Sequence, residues 1–349
     1  MLTKPLAHHG EGPVWVARDT SLYWVDMLAG DVLQLDGAGQ VSRHHLGSVT
    51  AALRPRAGGG LVVAVERGFA LVEPDWTVRE LPEAFADSSI RMNDGGCDPQ
   101  GRFYCGTMAY DATPGAGTLL RLDPDESVHV VLNGVTVSNG LAWSPDGATV
   151  YYVDSDTQRI DAFDFDAGSA AFQNRRPVVT IDQDLGSPDG LTVDAEGGLW
   201  VALWDGAAVH RYSPEGRLDA VIELPTPRVS ACTFGGERLD QLFITTSAFN
   251  LGGSHDLAGA VFRADPGVAG LPASCYAALS GSASMSGSPA RNPPLPTVSP
   301  SWPLAMIGPG RATTRARTDE YISQWYGRLA DTEVRTSVDL TVLRIAGYA

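Results

Sequence analysis

The sequence predicts an all-β protein, a six-bladed β-propeller, on three observations. Strings of one design recur along the chain, and their starts lie about 40 to 50 residues apart. Each string holds roughly four short strands, which is the size of one propeller blade. Six such units fit between Glu11 and about Ala277, whereas heptads, βαβ alternation and a G-x-G-x-x-G after a strand are missing.

Each repeated unit reads as a short strand, an Asp/Pro/Gly turn and a second strand of alternating or continuous apolar residues. The second strands are strings such as LYWVD, VYYVD and LWVAL, and a third strand then ends in an acidic or Gly-containing turn. Period-2 apolar segments broken by Asp-Gly and Gly-Gly are typical of β-hairpins. The six units start at Glu11, Thr50, Asn93, Asn139, Asp189 and Ser230.

The chain after Ala277 departs from this pattern. We therefore predict three parts: a propeller over residues 1–277, a Ser/Pro/Gly-rich linker over 278–317 and an appendage over 318–349. The composition predicts that the linker is disordered. In the appendage the string TSVDLTVLRI reads as a strand, and one helical face collects Tyr321, Ile322, Trp325, Tyr326 and Leu329. The sequence assigns no role to this part.

Composition excludes several classes of function. The formal net charge is −16, which argues against nucleic acid as a partner because phosphate binding needs a basic face. Lys4 is the only lysine, so a P-loop lysine and a buried Schiff-base lysine are both unavailable.

Location and partners follow from what the sequence lacks. No run of about 18 apolar residues exists, and the first residues hold no apolar h-region. We therefore expect a cytoplasmic protein without a membrane partner, and the oligomeric state stays open. The four cysteines form no C-x-x-C and are expected to be small core residues.

The starts of the six units are expected to form a ring. In a propeller the first strand of each blade lines the central channel, so equivalent positions on six blades surround one axis. Taken alone, Asn139 or Asp189 is more typical of a turn than of a site. The ring as a whole offers oxygen from every blade: Glu11, Thr50, Asn93, Asn139, Asp189 and Ser230.

Two carboxylates and two carboxamides at the rim of a narrow channel would repel and lose hydration unless something balanced them. A divalent cation is the simplest answer. Carboxylate and amide oxygens suit Ca²⁺, Mg²⁺ and Mn²⁺, and carboxylates also accept Zn²⁺. The seven histidines form no H-E-x-x-H and are expected to be surface or structural residues.

Over residues 8–277 the chain resembles the gluconolactonase/regucalcin (senescence marker protein) family of six-bladed propellers. The strings that carry the resemblance are EGPVW, RMNDG, DPQGRFYCGTM, SNGLAWSPD, YYVDS, NRRPV, PDGLTVDAEGGLWVA and ACTFGG, in that order. The resemblance implies hydrolysis of sugar lactones to aldonic acids by a divalent-metal-dependent enzyme whose partner is a small sugar lactone.

The resemblance also implies roles for particular residues. One divalent metal, Ca²⁺ in the first place with Zn²⁺, Mg²⁺ and Mn²⁺ as alternatives, would be held by Glu11, Asn139 and Asp189. Substrate-contacting residues of the family fall on Arg91 and Asn93. A further contact, Glu in some members, falls on Asp111, which is one methylene shorter. Asp189, a ligand and a carboxylate near the open positions, is our candidate for the general base.

A second function is compatible with the same ligands: a non-catalytic calcium-binding or regulatory propeller of the regucalcin kind. Arg91, Asn93 and Asp111 favour an enzyme because a calcium buffer has no need of them. An interaction scaffold of the WD40 kind would lack its GH…WD signature here. A paraoxonase-like esterase would need a His pair and a second calcium site, for which the sequence offers no candidates.

Overall fold

A computed structural model describes residues 1–252, 255–278 and 345–347 of the 349-residue chain. It confirms the predicted six-bladed β-propeller, since six antiparallel sheets follow one another along the chain. Blades 1, 2 and 3 consist of β1 (Gly10–Val16), β2 (Ser21–Asp26), β3 (Asp31–Leu35), β4 (Val41–His45); β5 (Thr50–Pro55), β6 (Leu61–Val65), β7 (Gly68–Val72), β8 (Val78–Glu80); and β9 (Ile90–Cys97), β10 (Phe103–Ala109), β11 (Gly117–Leu122), β12 (Val128–Val135).

The second half repeats this arrangement. Blades 4, 5 and 6 consist of β13 (Ser138–Trp143), β14 (Thr149–Asp154), β15 (Arg159–Asp166), β16 (Ala171–Thr180); β17 (Ser187–Val193), β18 (Leu199–Trp204), β19 (Ala208–Tyr212), β20 (Leu218–Glu223); and β21 (Val229–Gly235), β22 (Gln241–Thr246), β23 (Val261–Ala264). Short 3₁₀ turns lie between strands at Ala17–Asp19, Met27–Ala29, Ser155–Thr157 and Gln183–Leu185.

The first strands form a closed ring. Each one packs beside the first strand of the next blade, and β21 returns to β1. The start of the chain completes blade 6: Leu2 N donates to Val261 O at 2.8 Å, and Ala7 N donates to Gly259 O at 3.2 Å. Blade 6 has three strands of its own, so the N-terminal segment occupies the place of a fourth and joins the two ends of the propeller.

The apolar second strands supply the core between blades. Trp24 and Trp200 are fully buried, as the strings LYWVD and LWVAL predicted. At the far end of the first strands, Asp98 and Asp194 fix the hairpin turns, because each carboxylate accepts two backbone N–H groups of its own turn. These turns lie on one face of the disc, and the ring positions lie at the opposite face.

Residues 269–277 cross the face that carries these hairpin turns. Gly270 N donates to Leu239 O at 2.8 Å, and Tyr276, which is fully buried, exchanges backbone hydrogen bonds with blade 2. Beneath this segment lies a cavity of about 300 Å³ that residues from all six blades line. The channel is therefore covered at this end, and the polar ring lies at the other.

The prediction of a disordered linker over 278–317 and of a helical face over 321–329 falls almost entirely outside the described residues. Within the appendage, Ile345–Gly347 forms a short strand, β24, which pairs with β20 as a fifth strand of blade 5. It begins at Ile345, the last residue of the string predicted as a strand. In the described part of the chain, no helix has the length and apolar character needed to cross a membrane.

Candidate metal centre and substrate site

A β-bulge interrupts every first strand at or directly beside its ring position. The register shifts after Glu11, at Thr50, across Asn93, across Asn139, across Asp189 and across Ser230. A bulge re-aims the side chains next to it and is common beside functional sites. The sequence repeat therefore marks a repeated irregularity of the backbone, and this irregularity sets where six side chains point.

Glycines follow Asn139 and Asp189 for a packing reason. A Cβ on Gly140 would lie 2.4 Å from Leu191 Cβ, and one on Gly190 would lie 2.4 Å from Ala231 Cβ. The strings SNG and PDG thus combine a polar ring residue with a position where only glycine lets the next blade approach.

Asn93 and Asn139 belong to one buried hydrogen-bond chain. Asn93 Nδ2 donates to Asn139 Oδ1 at 2.9 Å and to Ser138 O at 2.8 Å. Asn139 Nδ2 donates to Ser155 Oγ at 2.7 Å, and Ser155 Oγ donates to Pro188 O at 2.6 Å. The chain fixes the Asn139 amide with its oxygen holding one unused lone pair, and it links blade 4 to the residue before Asp189.

Glu11 and Asp189 are buried acids in a strained electrostatic state. Burial raises the pKa of Glu11 to about 8, with a further rise from the Asp94 carboxylate, while the Gly12 N–H and Arg91 act against it. Burial and the charges of Glu11 and Asp94 raise the pKa of Asp189 well above its usual value. Asp189 Oδ1 is buried and has no hydrogen-bond partner.

Just before Glu11 and just before Asn139, a buried aspartate accepts hydrogen bonds from two backbone N–H groups. We call this arrangement a carboxylate clamp. The buried Asp26 accepts hydrogen bonds from His8 N at 3.1 Å and His9 N at 2.9 Å, which are three and two residues before Glu11. In blade 4 the buried Asp154 accepts from Thr136 N at 3.0 Å and Val137 N at 2.9 Å, at the same two offsets before Asn139. The motif VD at the end of the second strand thus anchors the approach to two ring positions.

Blade 5 lacks this clamp. Trp204 pairs with Ser187 at the register place that Asp154 holds opposite Ser138. In the described part of the chain, no carboxylate therefore takes the place of Asp154 before Asp189.

The predicted substrate residues lie at the same end of the channel. Arg91 is 2% exposed, and its Nη1 donates to Asn93 Oδ1 at 2.6 Å, so the two are joined. Asp111 lies in the turn after β10, whose end pairs with the start of β9. Asp111 is exposed, and its Oδ1 accepts from Thr113 N at 3.0 Å and Thr113 Oγ1 at 2.7 Å.

The other two ring members are not equivalent to the acids. Ser230 Oγ donates to Gly10 O at 2.6 Å and also contacts Thr245 Oγ1 at 3.0 Å, so its hydroxyl is used between blades. Thr50 is fully buried, and its Oγ1 has no hydrogen-bond partner.

Sequence reasoning missed two buried residues beside the ring. Asp94 interacts electrostatically with both Glu11 and Asp189, and burial raises its own pKa. His9 lies two residues before Glu11, hydrogen bonds through Nδ1 to Ser247 Oγ at 2.9 Å, and has its pKa lowered well below the usual value by burial and by Arg91. In the sequence these two residues are marked only by position: Asp94 directly follows Asn93, and His9 lies two residues before Glu11.

Comparisons with known proteins point to the family that the sequence resembles. The family model described as SMP-30/gluconolactonase/LRE-like region matches residues 9–248. Regucalcin of Danio rerio is 36% identical over 279 residues, which cover 76% of this chain and 94% of that protein. The chain belongs to the SMP-30/gluconolactonase/LRE-like family. This membership confirms the resemblance predicted from the sequence.

Two further members of the comparison add detail. Pentonolactonase of Haloferax volcanii is 34% identical over 274 residues, or 75% of this chain and 92% of that protein. A crystal structure described as a calcium-binding protein, regucalcin, from Agrobacterium tumefaciens superposes with a TM-score of 0.73 at 26% identity. It covers 79% of this chain and 95% of that one. The family thus contains lactone hydrolases and a calcium-binding protein.

The donor set of this chain fits a hard divalent cation. Glu11, Asp189 and Asn139 supply oxygens with unused lone pairs, and the unpartnered Asp189 Oδ1 calls for a positive charge. Across residues 1–252 and 255–278, no three His, Cys, Asp or Glu groups meet at ligating distance. A cation at this ring would therefore need the amide oxygen of Asn139.

Proposed function

We propose that the chain is a divalent-metal-dependent hydrolase that opens sugar lactones of the gluconolactone type to aldonic acids. The observation that carries the proposal is the buried, unpartnered Oδ1 of Asp189 beside the buried carboxylates of Glu11 and Asp94. An enzyme that bound nothing at this ring would keep an unfavourable arrangement of charge at no benefit.

Glu11, Asn139 and Asp189 would hold the cation, with Ca²⁺ as the first candidate because the donors are all oxygen. When bound, a divalent cation supplies Lewis-acid polarisation of the lactone carbonyl and lowers the pKa of water. The chain's own contribution is rigidity: the hydrogen bonds of Asn93 and Ser155 fix the Asn139 amide before any ligand arrives.

Asp189 is the proposed general base. One carboxylate oxygen would bind the cation, and the other would accept a proton as water attacks the lactone carbonyl carbon. The ring C–O ester bond then breaks, the departing ring oxygen takes the proton that Asp189 accepted, and the carboxylic acid product ionises. General-base assistance of this kind contributes about 10²- to 10⁴-fold in rate.

Arg91 and Asn93 are the proposed substrate contacts. Asn93 Nδ2 already makes two hydrogen bonds, so it would meet a sugar hydroxyl through the second lone pair of Oδ1. Arg91 keeps a buried Nε–H without a partner, which is a donor available to a hydroxyl or carbonyl oxygen. Asp111 at the exposed turn would meet the outer part of the sugar.

The test is a pH-indicator assay with gluconolactone and several pentonolactones. Purified protein is assayed in EDTA and then with Ca²⁺, Mg²⁺, Mn²⁺ or Zn²⁺ added back, and cation binding is measured in parallel by calorimetry. We expect activity that disappears in chelator and returns with at least one cation.

Activity that is undiminished in chelator would contradict the metal-dependent mechanism. Tight Ca²⁺ binding without turnover of any lactone would favour the alternative, a calcium-binding propeller of the regucalcin kind.

A further inference from the structure

Arg91 carries a buried positive charge that pairs with no carboxylate among the described residues. Its guanidinium donates instead to two thioether sulfurs: Nη1 lies 3.2 Å from Met27 Sδ, and Nη2 lies 3.1 Å from Met108 Sδ. Thioether sulfur is a weak acceptor. The Glu11 and Asp189 carboxylates interact electrostatically with Arg91 and are much stronger acceptors, yet neither accepts a hydrogen bond from its guanidinium.

The two sulfurs approach the guanidinium from different blades. Met27 begins the 3₁₀ turn after β2 in blade 1, and Met108 lies in β10, directly opposite Arg91 in the antiparallel register. Both methionines are buried, at 1% and 0% exposure. The remaining contacts of Nη1 are Met92 O at 2.9 Å and Asn93 Oδ1 at 2.6 Å.

We propose that Met27 and Met108 are positioning residues whose thioethers hold the Arg91 guanidinium. The held guanidinium donates to Asn93 and does not close an ion pair with the channel carboxylates. A carboxylate at either methionine position would capture the charge, and a hydrocarbon at position 108 would leave the buried Nη2 group without an acceptor. Sulfur is polarisable enough to accept both donors and too weak to neutralise the cation.

The arrangement has a consequence for each proposed ligand, and for this the inference rests on the proposed function. Glu11 and Asp189 keep their lone pairs for a cation because Arg91 is held away from them. Arg91 in turn keeps its full charge for the lactone. Releasing the guanidinium would therefore weaken the binding of both the cation and the substrate.

The variants Met27→Leu and Met108→Leu, singly and together, remove the sulfur acceptors with little change of volume. Met92→Leu is the matched control, because Met92 is also fully buried, lies between Arg91 and Asn93, and offers Arg91 only its backbone carbonyl. The measurements are the Ca²⁺ dissociation constant by calorimetry and the kcat and KM for gluconolactone.

For the double variant we expect KM to rise about tenfold and Ca²⁺ binding to weaken about tenfold, the effect of losing one charged hydrogen-bond arrangement. We expect kcat to stay within about threefold, because the reacting groups are untouched. Met92→Leu should match the wild type in all three quantities. Equal effects of Met92→Leu and of the double variant would overturn the proposal.

A second measurement needs neither metal nor turnover. Thermal unfolding in EDTA is compared for the double variant in the Arg91 background and in an Arg91→Leu background, as a double-mutant cycle. If the sulfurs hold Arg91, the effects of the two leucine substitutions and of Arg91→Leu on Tm are not additive. The leucine substitutions should therefore lower Tm less in the Arg91→Leu background. Additive shifts would overturn the proposal. If the wild type shows no lactonase activity, the proposed function fails, but this cycle still tests whether the two methionines hold Arg91.

Discussion

Blades 4 and 5 place an amide and a carboxylate at the same point of the fold, in opposite states. Asn139 and Asp189 both lie in the bulge of a first strand, each followed by a glycine. The Asn139 amide is hydrogen-bonded at both ends, to Asn93 and to Ser155. The Asp189 carboxylate keeps one oxygen without a partner and has a raised pKa.

The difference shows that the amide on one side of the ring has hydrogen-bond partners at both ends, whereas the Asp189 carboxylate on the other side has one oxygen without a partner. The neutral side is fixed by its own hydrogen bonds, which is the property expected of a preorganised site. The charged side collects Glu11, Asp94 and Asp189 without an ion pair in the described part of the chain. The folded protein therefore carries an electrostatic cost that a bound cation would relieve.

The largest effect is expected from giving blade 5 the chemistry of blade 4. Asp189→Asn removes both the proposed base and one charge of the proposed metal site, so lactone hydrolysis should fall by about 10³-fold or more. In EDTA the same variant should unfold at the same or a higher temperature than the wild type, because a buried unpartnered charge is gone. Activity assays check the expected loss of hydrolysis, and thermal unfolding in chelator checks the expected unfolding temperature.

The reciprocal variant sharpens this comparison. Asn139→Asp adds a carboxylate and loses the Nδ2 donor to Ser155, so it should lower Tm in EDTA, with Ca²⁺ restoring part of the loss. A lower Tm for Asp189→Asn than for Asn139→Asp in chelator would show that the Asp189 carboxylate is stabilised by something other than a cation.

A second prediction concerns pH in the absence of metal. The folded-state pKa of Glu11 is about 8, above its unfolded value, so the folded protein binds more protons than the unfolded chain between about pH 4.5 and 8. The contribution of this group to stability is present below the unfolded pKa and is lost as the pH rises through about 8. Thermal unfolding in EDTA should therefore show Tm falling over this window.

Glu11→Gln is the control for the pH dependence, because it removes one of three buried carboxyl groups with raised pKa values and should make the decline less steep. Saturating Ca²⁺ should also flatten it, since cation binding favours the charged carboxylate. A wild-type Tm that rises between pH 5 and 8 in chelator would contradict the assigned state of Glu11.

The sequence predicts the ring because a repeat carries its own alignment. Once six strings are aligned, their first polar residues occupy equivalent places whatever the exact backbone, and this is how Glu11, Asn139 and Asp189 became candidate site residues. The bulges were not predictable, because a register shift depends on which residues pair across two strands. Asp94 was missed for this reason: strict alternation places it on the opposite face from Asn93.

Other parts of the site depend on residues distant in the chain. His9 is ordered by Ser247, 238 residues away, so nothing near it in sequence indicates burial. The thioether contacts of Arg91 likewise join positions 64 and 17 residues apart. Asp111 was identified by type through the family resemblance. Its engagement with Thr113 depends on the local turn and emerged only with the backbone.

A third prediction tests why blade 4 is better fixed than blade 5. Asp154→Asn replaces one acceptor oxygen of the clamp by a donor that faces a backbone N–H, which should cost about 1 to 3 kcal/mol of unfolding free energy. The Asn139 ring position should loosen with it, so Ca²⁺ affinity should fall by up to about tenfold, a loss within that free-energy cost. Denaturant unfolding and calorimetry measure the two effects.

Asp146→Asn is the matched control in the same blade, since Asp146 is an exposed turn acid whose Oδ1 accepts from Ala148 N. Its cost should stay within about 0.5 kcal/mol, and Ca²⁺ binding should not change. If Asp154→Asn loses the expected stability but keeps its Ca²⁺ affinity, the clamp stabilises the fold and does not position Asn139 for the cation.

The smallest effect is expected at Asp111, on the exposed rim. Asp111→Glu adds the methylene that some family members have, and it gives up the two contacts with Thr113. Because the side chain is exposed, stability should change by no more than about 0.5 kcal/mol. The ratio of kcat/KM between gluconolactone and a pentonolactone should shift by about threefold, the scale of one exposed polar contact. Ca²⁺ affinity should stay at the wild-type value, since Asp111 lies in an exposed turn whereas the proposed cation ligands are buried. A change in Ca²⁺ affinity without a change in substrate preference would assign Asp111 to the cation and remove it from the sugar.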